Sequence, residues 1–209
     1  MTRILFQGDS ITDCGRDRSG NTLAAGSGLG TGYPTFVAAY LLAHHPETQW
    51  DIINRAISGN RIVDLYARWK ADALNLRPDI LSIMIGVNDT WHEFQSHNGV
   101  DVPRYARFYR ELLEWTKREL PNIKFILFEP YVHEFGAVGE GWKQEIDQRR
   151  AIVKDLAAEF NAAFIPTQTI LDNALAKAPQ EYWTHDGVHP KAAGHMLFAE
   201  EWLKAAKLL

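Results

Sequence analysis

Arg3-Ile4-Leu5-Phe6-Gln7-Gly8-Asp9-Ser10-Ile11-Thr12 opens the chain and decides how the rest is read. Arg3–Gln7 is a short run, apolar on both faces, as expected of a strand buried between two helix layers. It gives way at once to Gly8-Asp9-Ser10, which is turn and helix-cap vocabulary. Further along, Asp51–Asn54, Ile80–Ile85, Lys124–Glu129 and Ala163–Ile165 have the same character. Between them lie stretches of helical period: Ile62, Tyr66, Trp69 and Ala73; Tyr105, Phe108, Leu112 and Trp115; Ile146, Val153, Leu156 and Phe160; Ala192, Met196, Ala199 and Leu203. Pro121 and Asn122 punctuate one passage from helix to strand. This β-α-β-α rhythm predicts one α/β domain over residues 1–209, with a central parallel five-stranded sheet covered by helices on both faces in a three-layer sandwich.

Composition fits such a domain. The 209 residues are 46% hydrophobic and 23% charged, those of an ordinary globule. A chain of this length buries roughly 70% of its extended surface without staples. A net charge of −4 argues against nucleic acid as the main partner, because phosphate binding needs a basic face. No apolar run approaches the roughly 20 residues needed to span a membrane. No signal peptide is legible before Arg3, and Cys14 is the lone cysteine, so a cytoplasmic location is expected. Gly26-Ser27-Gly28-Leu29-Gly30-Thr31-Gly32 looks like a phosphate loop, but no strand precedes it directly and no Gly-Lys-Ser/Thr follows. It reads as a flexible loop before a helix starting near Tyr33–Pro34, at the rim of a site.

In an open α/β sheet, ligands bind beyond the carboxyl ends of the strands. Gly8-Asp9-Ser10-Ile11-Thr12 follows the first strand, Asn54-Arg55-Ala56-Ile57-Ser58-Gly59-Asn60 the second, and Gly86-Val87-Asn88-Asp89 the third. Asp186-Gly187-Val188-His189-Pro190 follows the fifth, just before the last helix. These four loops carry the parts of an acyl-transfer site. A serine hydroxyl attacks well only when an imidazole takes its proton, and the imidazole needs an acceptor on its other nitrogen. Ser10, His189 and Asp186 meet that need, and Pro190 keeps His189 out of helix. The Ser10 and Gly59 backbone N–H groups and the Asn88 side-chain amide would hold the oxyanion. Each block alone is ordinary turn or cap chemistry; all four, each after a predicted strand, point to a catalytic site.

With these blocks the chain resembles the SGNH, or GDSL, hydrolase superfamily, on Gly8-Asp9-Ser10, Gly59, Gly86-x-Asn88-Asp89 and Asp186-x-x-His189-Pro190. The resemblance implies a flavodoxin-like sandwich, a Ser10–His189–Asp186 triad, and an oxyanion hole from Ser10, Gly59 and Asn88. It departs from the family's Asn-x-Gly-x-x-Gly block at Ala56, which puts only the local turn in question. Gly8 through Gly15, Ile57-Ser58-Gly59-Asn60, Ser82-Ile83-Met84-Ile85-Gly86, and His189-Pro190 through Gly194-His195-Met196 resemble the acetylxylan esterase-like branch. That narrower likeness implies removal of acetyl groups from xylo-oligosaccharides, and a homo-oligomer. The chemistry requires no metal or organic cofactor. Lysophospholipase-like or thioesterase-like hydrolysis of longer acyl chains, and a carbohydrate-binding module, are the alternatives.

Asp9, Trp91 and Trp183 are candidate substrate contacts, since aromatic rings stack on sugar faces; core or interface plugs are the other reading of both tryptophans. Tyr131–Trp142 has the makings of a mobile rim or an assembly contact. His44, His45, His92, His97 and His133 show no metal spacing. His185 and His195 are expected beside the site or on the surface, and Cys14 as a small buried filler.

Overall fold

The computed structural model describes residues 1–19 and 28–209. Five strands, β1 (Thr2–Gly8), β2 (Trp50–Asn54), β3 (Ile80–Met84), β4 (Lys124–Phe128) and β5 (Ala163–Ile165), form one parallel sheet in the order β2-β1-β3-β4-β5. Each predicted strand is present to within a residue at either end. The helices are α1 (Ser10–Asp13), α2 (Tyr33–His44), α3 (Ile62–Asp72), α4 (Val87–Ser96), α5 (Val102–Glu119), α6 (Trp142–Glu159), α7 (Thr167–Ala174), α8 (Gln180–Trp183) and α9 (Ala192–Ala205).

Alternation along the strands splits the core in two. Ile4, Phe6, Ile52, Met84, Ile126 and Phe128 face a layer that includes Tyr33, Val37, Leu41, Leu171, Phe198 and Trp202, from α2, α7 and α9. Leu5, Ile53, Leu81, Ile83, Phe125 and Leu127 face Leu65, Trp69, Tyr109, Leu113 and Val153, from α3, α5 and α6. Apolar residues on both strand faces thus become a three-layer sandwich. The strand order changes direction between β1 and β3, where folds of this order open a ligand crevice. There the register pairs Gly8 with Met84 and Met84 with Phe128, so three strands end level.

Several details correct the sequence reading. In α5 the buried stripe is Tyr105, Tyr109, Leu112, Leu113 and Thr116, while Phe108 and Trp115 sit at its margin. In α9 the buried face carries His195, Phe198, Ala199, Trp202 and Leu203, and Met196 is exposed. The period was right, but polar Thr116 and His195 belong to the inner faces. Gly26 and Ser27 lie outside the described residues. The remainder of that glycine-rich stretch is pinned rather than loose: Leu29 is buried, Thr31 N–H donates to the Cys14 carbonyl (2.9 Å), and Asn54 Nδ2 to the Leu29 carbonyl (3.0 Å). No helix among the described residues is long and apolar enough to cross a membrane.

Candidate active site

Three neighbouring strands deliver three candidate residues. Ser10 follows β1, Gly59 lies in the loop after β2, and Asn88 follows β3. Ser10 and Asn88 are not in loops, as the sequence suggested, but in the first turns of α1 and α4. First-turn N–H groups have no partner within their helix. The Ser10 N–H has no protein acceptor among the described residues, and neither has that of Gly59. Gly59 adopts φ +83°, a conformation that glycine takes without strain, and the space where a Cβ would stand is open. Asn88 is buried and donates one amide hydrogen to the Asn60 carbonyl at 3.1 Å, and its second hydrogen has no protein partner among the described residues.

The fourth block arrives from the far end of the chain. Thr184 and Pro190 form an antiparallel bridge that closes the loop carrying Asp186 and His189. One oxygen of Asp186 accepts the Val188 and His189 N–H groups at 3.0 and 2.8 Å. The other lies 2.7 Å from His189 Nδ1, and His189 Nε2 lies 2.8 Å from Ser10 Oγ. A continuous hydroxyl–imidazole–carboxylate relay results. Burial raises the affinity of Asp186 for a proton, but the His189 N–H, the His189 ring and the Val188 N–H outweigh it, holding its pKa below the usual value. Asp186 therefore stays ionised and can orient and stabilise an imidazolium.

The segment 131–142 braces this loop. His133 N–H donates to the Gly187 carbonyl (2.9 Å), Ala137 N–H to the Asp186 carbonyl (3.0 Å), and the Tyr131 hydroxyl to the Val188 carbonyl. Tyr131, Val132, Val138 and Trp142 are buried, so the stretch expected to be a mobile rim or an assembly contact packs at these positions as support for the Asp186–His189 loop.

The three candidate substrate contacts part company. Trp91 is half-buried, with its ring 5.7 Å from that of His189 and 5.2 Å from that of Trp142; Trp142 in turn lies 5.8 Å from exposed Phe94. Trp183 is instead buried in the core, and its indole N–H is spent on the Ala178 carbonyl at 3.1 Å. It anchors the stem of the Asp186–His189 loop. Asp9, at 1% exposure, also faces away from solvent, capping α1 through the Ile11 N–H at 3.0 Å. Burial pushes its pKa up to about 7. Cys14 is half-buried, not filler: its sulfur lies 3.3 Å from Thr31 Oγ1 and 3.5 Å from Nε2 of His195. His195 is buried behind it and accepts the Tyr33 N–H at Nδ1 (3.3 Å). A groove of about 700 Å³ lies at the other end of the sheet, among Ile80, Lys124, Ala163 and Lys207, remote from this chemistry.

A model of the GDSL-like lipase/acylhydrolase family matches residues 6–197, from β1 into α9. The chain belongs to that family. It is 38% identical to an acetylxylan esterase of Geobacillus stearothermophilus over 206 residues, 97% of this chain and 92% of that one. The crystal structure of that organism's acetylxylan esterase superposes with a TM-score of 0.88 at 36% identity, covering 98% of this chain and 93% of the other. A structure from Parabacteroides merdae, named provisionally as a GDSL-like lipase, superposes with a TM-score of 0.95 at 42% identity, over 100% and 96% of the two chains. The esterase thus has the α/β fold of these hydrolases, and its reaction class is carboxylic ester hydrolysis.

The sequence reading missed residues that brace the segments carrying the candidate site. Asp13 and Arg16 tie α1 to the Gly59 loop. Buried Asp89 accepts the Ile62 N–H with both oxygens (3.1 and 3.2 Å). Fully buried Arg149 donates to Thr90 Oγ1 (3.0 Å) and the Val100 carbonyl (2.7 Å), fixing α4 below Asn88. Asp89 sits in the quoted Gly86-Val87-Asn88-Asp89 block and Asp13 in the Gly8–Gly15 stretch, but no local pattern marks Arg16 or Arg149.

Proposed function

We propose that this esterase removes acetyl groups from acetylated xylo-oligosaccharides, with Ser10 as nucleophile. The observation that carries the reading is the relay from Ser10 Oγ through His189 to Asp186, at 2.8 and 2.7 Å. His189 Nε2 accepts the Ser10 proton as Oγ attacks the acetyl carbonyl, and the imidazolium is held by the Asp186 carboxylate. The Ser10 and Gly59 N–H groups and the Asn88 amide meet the negative oxygen of the tetrahedral intermediate. His189 returns the proton to the leaving sugar oxygen, leaving an acetyl ester on Ser10. Water, activated by the same imidazole, then releases acetate and restores the hydroxyl.

His189 delivers its proton to the leaving group, so Trp91, against that ring, lies on the sugar side and offers a face for stacking. The likeness to the Geobacillus stearothermophilus acetylxylan esterase supports the substrate class. Catalytic variants of that enzyme replace a serine, an aspartate and a histidine with the same spacing along the chain as Ser10, Asp186 and His189.

The test is a series of initial rates on p-nitrophenyl acetate, butyrate, octanoate and palmitate, then on acetylated xylo-oligosaccharides, beside Ser10→Ala. Rates that peak at acetate, extend to the acetylated sugars and vanish in Ser10→Ala are expected. A peak at octanoate or beyond would move the assignment to longer acyl chains, and a fully active Ser10→Ala would overturn the mechanism.

A further inference from the structure

Hydrogen bonds around Asp13 sew the nucleophile's helix to the loop that carries Gly59. Asp13 ends α1 and is buried. One carboxylate oxygen accepts both the Ser58 N–H (2.8 Å) and the Ser58 hydroxyl (2.9 Å). The other accepts the Arg16 N–H (3.2 Å) and lies 3.9 Å from the Arg16 guanidinium. Arg16 is buried too, and its Nε donates to the Ala56 carbonyl at 2.7 Å. Asn54 Nδ2 donates to the Thr12 carbonyl at 2.7 Å. Residues 54, 56 and 58 are thus each tied to the stretch 12–16, and the last tie falls on the residue whose carbonyl carbon joins the Gly59 nitrogen.

We propose that Asp13 is the positioning residue of the oxyanion site: by gripping Ser58, its carboxylate aims the Gly59 N–H at the oxygen that becomes negative when Ser10 attacks. The inference rests on the reading of Ser10 as nucleophile. Oxyanion donors accelerate a reaction only when they are already in place, and a misplacement of about 1 Å can cost on the order of 100-fold in rate. Gly59 packs against nothing at its Cβ position, so its direction comes from the residues on either side. Asn60 is held by Arg68 Nε (2.8 Å), and Ser58 by Asp13. A carboxylate is the group that suits the second task. Asparagine at position 13 would turn its NH2 either toward the Ser58 donors or toward the Arg16 N–H, donor against donor.

The experiment compares Asp13→Asn, Asp13→Ala and Ser58→Ala with the unaltered enzyme on p-nitrophenyl acetate. Inhibition by phenylboronic acid is measured beside it, because the boronate forms a tetrahedral adduct on the serine. In Asp13→Asn and Asp13→Ala, kcat should fall about 10- to 100-fold and the boronate Ki rise by a similar factor, with KM within about twofold. Ser58→Ala keeps the backbone N–H bond and loses the hydroxyl bond, so the same pattern should appear at about three- to tenfold. A merely structural Asp13 predicts a lower melting temperature with kcat and boronate Ki unmoved in the folded variant, and that result would overturn the proposal. Should the Asp13 variants not fold, Ser58→Ala decides: unchanged kcat and Ki refute the grip. Active Asp13 variants beside a dead Ser10→Ala sink this inference alone, whereas an active Ser10→Ala removes the nucleophile reading beneath it.

Discussion

Asn88 is half engaged: one amide hydrogen goes to the Asn60 carbonyl and the other has no protein partner among the described residues. Replacing it with alanine removes one proposed oxyanion donor while α4 keeps its buried supports, Asp89 and Arg149. Asn88→Ala is expected to lower kcat by about 10²–10³ with the melting temperature nearly unchanged; near-normal turnover would remove Asn88 from the mechanism. In the proposed mechanism Asp186 holds the imidazole tautomer. An amide there can present an NH2 to His189 Nδ1, leaving the proton on the nitrogen that must accept from Ser10. Asp186→Asn should therefore lower kcat by roughly 10⁴, and a loss of only a few-fold would mean another acceptor orients His189. At this scale the sequence was informative, because Ser10, Gly59, Asn88, Asp186 and His189 stand in short blocks after strands. It left the choice open where a residue type fits two jobs. Asp9 caps a helix and Trp183 fills the core, and nothing local separates those uses from ligand contact.

Among the elements, the segment 131–142 bears most directly on the Asp186–His189 loop. Gly136 adopts φ +63°, and a Cβ there would stand 2.7 Å from Asp186 Cα. Gly136→Ala must move either the brace or the loop, with backbone strain of about 1–3 kcal/mol. It is expected to melt at a lower temperature and to lose at least about tenfold in kcat, since catalytic geometry tolerates little displacement. Unaltered kinetics would show that the loop keeps its geometry through its other supports, without the Gly136 contact. The strands were legible because their apolar runs are short and bounded. Their helices were legible in period but not in phase. A Trp or Met at a favourable spacing outranks Thr116 or His195 in any hydrophobic count, yet those polar residues find partners inside: Thr116 Oγ1 accepts from Trp69 Nε1 at 2.9 Å, and the His195 ring accepts from the Tyr33 N–H. Ala56, the one departure from the family block, costs nothing visible, because its φ is not positive and its N–H and carbonyl are both bonded.

For the molecule as a whole, buried ionisable groups set how stability varies with pH. Burial, reinforced by His185 and His189, lowers the pKa of His195 from 6.5 to about 4. Between those values the unfolded chain binds a proton that the folded one refuses. The stabilisation is complete above pH 6.5 and is lost as pH falls toward 4. Asp9 and Asp89, raised by burial to about 7, act in the opposite sense: the folded state keeps protons that the unfolded chain releases above pH 3.8. The His195 contribution is therefore read as a difference. Relative to His195→Gln, the unaltered protein should lose on the order of 3 kcal/mol of unfolding free energy across that window, and a flat difference would refute neutral burial of the ring. None of this was visible in composition, since pairs such as His195 with Tyr33 lie 162 positions apart. The same distance along the chain governs when the enzyme becomes active. Ser10 and His189 are separated by 179 positions, and α9, which follows His189, packs on α2 near the other end. During synthesis the proposed nucleophile emerges 179 positions ahead of the imidazole that would activate it, so its hydroxyl should stay inert until His189 has followed and docked. Ester cleavage is in this sense a completion signal: during refolding it should never return ahead of the native near-ultraviolet dichroism of the tryptophans.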